Sequence, residues 1–182
     1  ILARFFASGT YCAGEVAPTM SPSMDIQVAS NFERLLYDLY EGDGAEVGRL
    51  LGAFAARGSM RVADDALGRA RELFDAARVD EDETAATMAE VLRTTGRLVD
   101  PHTAVGIRAG RARRLDARVP LIALATAHPA KFPDAVQQAT GVRPELPARL
   151  ADLYRRAERF AVLPNDLGAV QRHIEQLVLE TA

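Results

Sequence analysis

Lys131 is the one lysine among 22 Lys+Arg residues, so this chain writes its basic positions almost wholly as arginine. A lysine kept against that bias fits a site where a compact ammonium serves and a broad planar guanidinium does not. Its neighbours carry chemistry as well: Thr126-Ala127-His128-Pro129-Ala130-Lys131-Phe132-Pro133 brings a hydroxyl, an imidazole and an ammonium close together. Such a set can bind an anion and handle a proton. It follows Pro120-Leu121-Ile122-Ala123-Leu124, the most strand-like run in the chain. Open α/β folds bind ligands at the carboxyl ends of their strands.

Two other stretches hold similar densities of polar and conformationally fixed residues. One is Asp100-Pro101-His102-Thr103-Ala104-Val105-Gly106; the other runs from Ser21-Pro22-Ser23-Met24-Asp25-Ile26-Gln27 to Arg34. Asp100 suits a helix N-cap and Pro101 the first helical position, with Thr103 in the first turn. That local role stands beside a second one, a helix start near a ligand. Asp25 and Gln27 alternate with Met24 and Ile26, so one side of that segment can face a cleft. Ser30 reads as a cap, with Glu33 completing a capping box. Lys131 lies just before a helix that starts at Pro133. A cation there is disfavoured by some tenths of a kcal/mol, unless an anion sits between it and the helix. A solvated surface lysine is the competing reading, as a backbone-bonded turn imidazole is for His128 and a locally bonded strand end for Thr126. Arg111, Arg113 and Arg114 read as a solvated helix end.

Other chemistries lack their signatures. His102, His128 and His173 have no metal-ligand spacing and Cys12 stands alone. There is no nucleophile elbow and no glycine-rich phosphate loop. The net charge of −3 gives no reason to expect nucleic acid or an anionic membrane surface as partner. A single cysteine suits a reducing cytoplasm, and no apolar run approaches the roughly 20 residues that span a bilayer.

The elements that must position these residues are mostly helical. Periodic apolar positions predict helices around Phe32–Leu39, Val47–Phe54, Leu67–Ala77 and Met88–Leu92, the last capped by Asp80 and ended by Gly96. Further helices are expected from Asp100-Pro101 to about Arg114, from Pro133 to Gly141, from Pro147 to about Arg156, and after a cap at Asn165. Residues 8–29 read as loop or short strand, and Ile1–Phe6 as the tail of a helix that begins earlier. One strand near 119–125 cannot make a sheet by itself. The sequence therefore reads as a fragment.

In order along the chain, the Ser21–Arg34, Asp100–Gly106 and Thr126–Phe132 motifs resemble threonine synthase, a pyridoxal-phosphate enzyme of the fold-type-II group. The opening Ile1-Leu2-Ala3-Arg4-Phe5-Phe6 with Gly9-Thr10-Tyr11, and the later Leu163-Pro164-Asn165-Asp166-Leu167, carry the same resemblance. It implies an α/β fold, here the helix-rich C-terminal part, with most of the parallel sheet in an N-terminal part outside this chain. Residues 1–30 would end the cofactor-binding core, 31–100 form a helical elaboration, and 101–182 return to the core and the C-terminal helices. The implied reaction converts O-phospho-L-homoserine and water to L-threonine and phosphate, with pyridoxal 5'-phosphate as electron sink. Thr126 is then expected to face the cofactor's ring nitrogen and His128 to line its pocket. Lys131, Asp25 and Gln27 become candidates for substrate or phosphate, and Asp100, His102 and Thr103 mark a helix start near the site. The Schiff-base lysine belongs to the family's N-terminal half. Lys131 sits in a different motif, no catalytic residue is assigned here, and the chain alone is expected to be inactive. The competing readings are another fold-type-II lyase, such as a dehydratase, and a helical interaction module without cofactor.

Overall fold

The computed structural model describes residues 1–181, with side chains through Leu179. Helix punctuation follows the sequence. Helix α1 (Leu2–Ser8) leads into strand β1 (Thr10–Cys12), and a 3-10 turn at Pro22–Met24 precedes α2 (Phe32–Leu39). The Asp43 carboxylate accepts the Ala45 and Glu46 amides to open α3 (Gly44–Arg57). Strand β2 (Ser59–Arg61) and α4 (Asp64–Leu73) follow. A full Asp80/Glu83 capping box opens α5 (Glu81–Thr95). Gly58 and Gly96 end α3 and α5 with φ of 67° and 70°, left-handed values at which a Cβ would strain the backbone. Then come α6 (Pro101–Arg113) and α7 (Pro133–Thr140). A second unit begins at Leu146 and contains two 3-10 turns and α8 (Leu167–Thr181).

Two apolar clusters organise the first unit. In the first, β1 pairs antiparallel with β2, so that Tyr11 faces Met60 and both side chains turn inward. Tyr11 stacks on Phe32 with ring centroids 4.4 Å apart, and Phe5 meets Phe32 edge-on at 4.7 Å. Leu36, Leu50, Ala66 and Leu67 from α2, α3 and α4 close this core. The Tyr11 hydroxyl accepts the Ala29 N–H at 2.7 Å and ties down the end of the Ser21–Ala29 loop. In the second cluster Met88 of α5, Ala104 of α6 and Val136 of α7 are fully buried against one another. Small residues at Thr84, Thr87 and Ala104 let α6 and α7 pack on α5. Met20 joins this cluster, and its N–H donates to the Glu81 carboxylate at 3.0 Å. The loop before Ser21 is thereby fixed to the start of α5.

Several expectations are corrected. Pro120–Leu124 is irregular chain without ladder partners; the one sheet among the described residues is β1 with β2. Ile122 and Leu124 are 81% and 76% exposed, while Leu121 alone lies against Gly110 of α6. An apolar β-prone run becomes a strand only when neighbouring strands accept its backbone, and none of the described segments does so. Ser30 does not cap: α2 begins after Asn31 and has no side-chain cap bond. Helix α4 stops at Leu73 because Phe74 turns extended and meets the Phe6 ring at 6.3 Å. The helix expected from Pro147 is only two turns, Ala148–Leu150 and Leu153–Arg155. Asp166, rather than Asn165, caps α8, accepting the Ala169 N–H at 2.8 Å. Among the described residues no helix is long and apolar enough to cross a membrane, and no cluster has the makings of a metal site.

Candidate functional site

The three polar motifs meet in one place, and His102 is where they meet. Asp100 has no exposed surface and caps α6. Its Oδ1 accepts the Thr103 N–H at 3.2 Å and also the Thr103 hydroxyl. Its Oδ2 accepts the His102 N–H at 3.0 Å and lies 2.7 Å from His102 Nδ1. On the other side of the ring, the Ser23 N–H donates to His102 Nε2 at 3.2 Å. A backbone N–H can only donate, so Nε2 must accept and the ring proton sits on Nδ1, facing the carboxylate. The imidazole also packs against the Phe132 ring, with centroids 4.7 Å apart. The Lys131 ammonium stands 5.7 Å from the centroid of that same ring. Cation–π contacts of this length contribute about 0.5–1 kcal/mol at exposed positions.

The Lys131 segment is built by its own proline and histidine. Pro129 starts a 3-10 turn, Pro129–Lys131, and His128 caps it: Nδ1 accepts the Ala130 N–H at 3.1 Å. His128 thus has the turn role open to it from sequence, while Nε2 is left pointing away from that bond. Among the described residues the Thr126 hydroxyl has no hydrogen-bond partner and Lys131 forms no ion pair. Both residues are exposed. The segment therefore presents a hydroxyl donor, an imidazole edge and an ammonium on a backbone that buries Ala130 and leads to Val136 in the second core.

Asp25 and Gln27 are committed to the loop that carries them. Asp25 accepts the Thr19 N–H at 2.7 Å and the Thr19 hydroxyl at 2.6 Å. Gln27 Oε1 accepts from Arg4 at 2.9 Å and from the Gly14 N–H at 3.1 Å, and its amide donates to the Glu15 carbonyl at 3.0 Å. These bonds set the loop's shape; they do not bring Gln27 to Lys131. The Arg111, Arg113 and Arg114 group is exposed, with Arg111 paired to Glu90 and Arg113 to Asp75. Sequence reasoning passed over Thr19, the Ser23 amide and the Phe132 ring. Thr19 was visible as a hydroxyl residue ahead of a Pro-Ser turn, a setting in which such side chains bond locally. Nothing in the spacing of Phe132 marks it as the platform between His102 and Lys131.

This architecture has known counterparts. Residues 103–174 match the family model described as threonine synthase, C-terminal. The chain is 50% identical over 177 residues to the threonine synthase of Pseudomonas aeruginosa, covering 97% of this chain and 38% of that protein. Its fold superposes on a crystal structure of PLP-bound threonine synthase from Brucella melitensis with a TM-score of 0.87 at 46% identity, over 96% of this chain and 38% of the other. The yeast threonine synthase structure matches with a TM-score of 0.83 at 32% identity, over 98% and 40%. The chain thus spans well under half the length of these relatives, yet nearly all of it is matched by them. Sequence, fold and the matched C-terminal region agree: over nearly its whole length the chain is similar to part of the threonine synthases.

Proposed function

We propose that this chain supplies one wall of the active site of a threonine synthase, an enzyme that converts O-phospho-L-homoserine and water to L-threonine and phosphate. One observation carries the reading: three motifs far apart in sequence converge on His102, and the exposed groups beside that convergence are an unpartnered hydroxyl, an imidazole edge and an unpaired ammonium. The activity belongs to the longer enzyme, since the relatives extend well beyond the part matched here.

The residues present fit an edge of pyridoxal 5'-phosphate. When bound, that cofactor supplies an electron sink for charge developing on the substrate carbons. Thr126 has a free hydroxyl to meet the ring nitrogen. A neutral hydroxyl cannot hold that nitrogen protonated as a carboxylate would, so it moderates the sink. His128, with Nδ1 taken by the turn, lines the cofactor pocket with its other edge. Lys131 offers a mobile positive charge to the phosphate of substrate or product, and its ammonium suits a tetrahedral anion in a narrow space. Asp25 and Gln27 shape the loop that approaches substrate. Asp100, His102 and Thr103 hold the start of α6 beside it. In this reading residues 1–30 end the cofactor-binding core, 31–100 are an elaboration and the rest returns to the core. The cofactor-bearing lysine lies outside this chain, the chain alone is inactive, and the enzyme works in the cytoplasm.

The test uses the full-length enzyme with pyridoxal phosphate. It should release phosphate from O-phospho-L-homoserine with an equal amount of threonine. Lys131→Arg keeps the charge and widens the group; Lys131→Ala removes both. Both should raise KM for phosphohomoserine with the cofactor still bound, and inorganic phosphate should inhibit the Ala variant less. Wild-type kinetics in both variants would return Lys131 to a solvated surface role.

A further inference from the structure

We infer that His102 is a positioning residue: in its Nδ1–H form it pins the Ser23 turn and the Phe132–Lys131 segment to one buried carboxylate. The inference rests on the threonine synthase reading for what is being positioned, but the pin is seen in this chain's own geometry. Asp100 is fully buried and takes four donors, two from His102 and two from Thr103. The His102 side chain is only 7% exposed. Its Nε2 is the acceptor for the Ser23 N–H, at a sequence separation of 79 residues. Its face meets Phe132, the residue after Lys131.

A cap alone does not need this arrangement. Asp100 satisfies the helix-start amides of His102 and Thr103 with its carboxylate, and any side chain at position 102 leaves those bonds intact. The imidazole adds two connections to other segments. One is polar and directional, to an amide in the Ser21–Asp25 turn. The other is a ring contact with Phe132, whose ring also has the Lys131 ammonium 5.7 Å from its centroid. The Ser23 turn has a separate anchor at its far side, where Asp25 binds Thr19, and a third at Met20 on Glu81. His102 is the link between that anchored turn and the Lys131 segment. Its tautomer matters: a proton on Nε2 would oppose the Ser23 N–H donor to donor.

The substitution that tests this is His102→Phe in the full-length holoenzyme, with His102→Gln as partner. Phenylalanine keeps a ring for Phe132 and removes both ring nitrogens. Glutamine gives up the ring, but its amide oxygen can reach the Ser23 N–H. Losing the ring's bonds to the Ser23 N–H and to Asp100 should raise KM for phosphohomoserine by about tenfold in His102→Phe, with the cofactor absorbance unchanged. Inorganic phosphate should then protect the variant less against thermal unfolding than it protects the parent. His102→Gln should recover part of both losses. Isotope-labelled histidine spectra of the parent should show His102 protonated at Nδ1. Lowered thermal stability with parental KM and parental phosphate protection would overturn the proposal, as would a proton found on Nε2. A parent enzyme that makes no threonine would instead refute the reading of function, while the tautomer and phosphate-protection results would still decide the pin.

Discussion

Asp100→Asn is the smallest change that should disturb the whole junction. Asparagine has the size of aspartate but one oxygen in place of two. Asp100 now accepts from four donors: the amides of His102 and Thr103, the Thr103 hydroxyl and the His102 ring. With asparagine, one side of the group becomes an NH2 donor. If it faces His102, the ring must accept at Nδ1, and its proton moves to Nε2, where it opposes the Ser23 N–H. If it faces Thr103, it opposes that amide instead. Either orientation withdraws a charged acceptor from two donors, the amide and ring of His102 or the amide and hydroxyl of Thr103, and leaves at least one buried donor without a partner. Bonds to charged groups contribute about 1.5–3 kcal/mol, and an unsatisfied buried donor costs about 1–3 kcal/mol; with partial relaxation a net loss of about 2–4 kcal/mol is expected. At 1.36 kcal/mol per tenfold, that opens the junction about 30-fold to about 1000-fold more often. The assay is amide hydrogen exchange in the full-length enzyme, followed at peptides covering Ser23 and Thr103. Faster exchange should appear in both peptides, although they lie far apart in sequence, while peptides from the Phe5–Tyr11–Phe32 core stay protected. Unchanged exchange at Ser23 would refute the idea that the Asp100–His102 pair holds that turn.

Three further outcomes follow from the same geometry. Thr126→Val in the full-length enzyme keeps the shape and removes the hydroxyl; loss of one hydrogen bond to a buried cofactor atom, on the order of 1–3 kcal/mol, should cut turnover about 5-fold to about 150-fold with cofactor content unchanged, whereas unchanged turnover places Thr126 away from the ring. The 182-residue chain expressed alone should aggregate through exposed Ile122 and Leu124 and should form no specific lysine adduct with pyridoxal phosphate; light scattering and absorbance check this, and a stable monomer that turns over phosphohomoserine sinks the reading. Met88→Ala, at the fully buried contact of α5 with α6 and α7, should destabilise by about 2–5 kcal/mol and also raise KM for phosphohomoserine, because the starts of both helices carry the junction; a stability loss with parental KM would separate the core from the site.

Local signals and non-local ones differ sharply in how well the sequence reveals them. Asp80, Asp100, Pro101, Pro133, Gly58 and Gly96 place helix ends where expected, because a cap or a left-handed glycine acts within one turn of its own position. The same locality misled at Ser30, where hydroxyl and Glu33 have capping-box spacing but the loop from Tyr11 to Ala29 delivers the chain one residue further on. It misled again at Phe74, where a contact with Phe6 outweighs one more helical turn. Neither Ala29 nor Phe6 can be paired with its partner from spacing alone.

Pro120–Leu124 shows what the difference means for function. Its composition announces a strand and its position announces a ligand site beyond that strand. The two inferences part company: the strand does not form, while the ligand-site reading stays a proposal that rests on Thr126, His128 and Lys131, whose turn is made locally by His128, Pro129 and Ala130. The strand requires partners that no described segment provides, and the fold is shared with proteins more than twice the length of this chain's match to them. The exposed Ile122 and Leu124 side chains and the unpartnered Thr126 hydroxyl are therefore consecutive consequences of one arrangement: an edge whose backbone, apolar side chains and polar tip all face outward from this chain. Junction geometry on the inner side, from Asp100 through His102 to Ser23 and Phe132, is complete without further partners. The chain thus builds the Asp100–His102 brace internally, and in the proposed function the face that carries Thr126, His128 and Lys131 is completed by the rest of the longer enzyme.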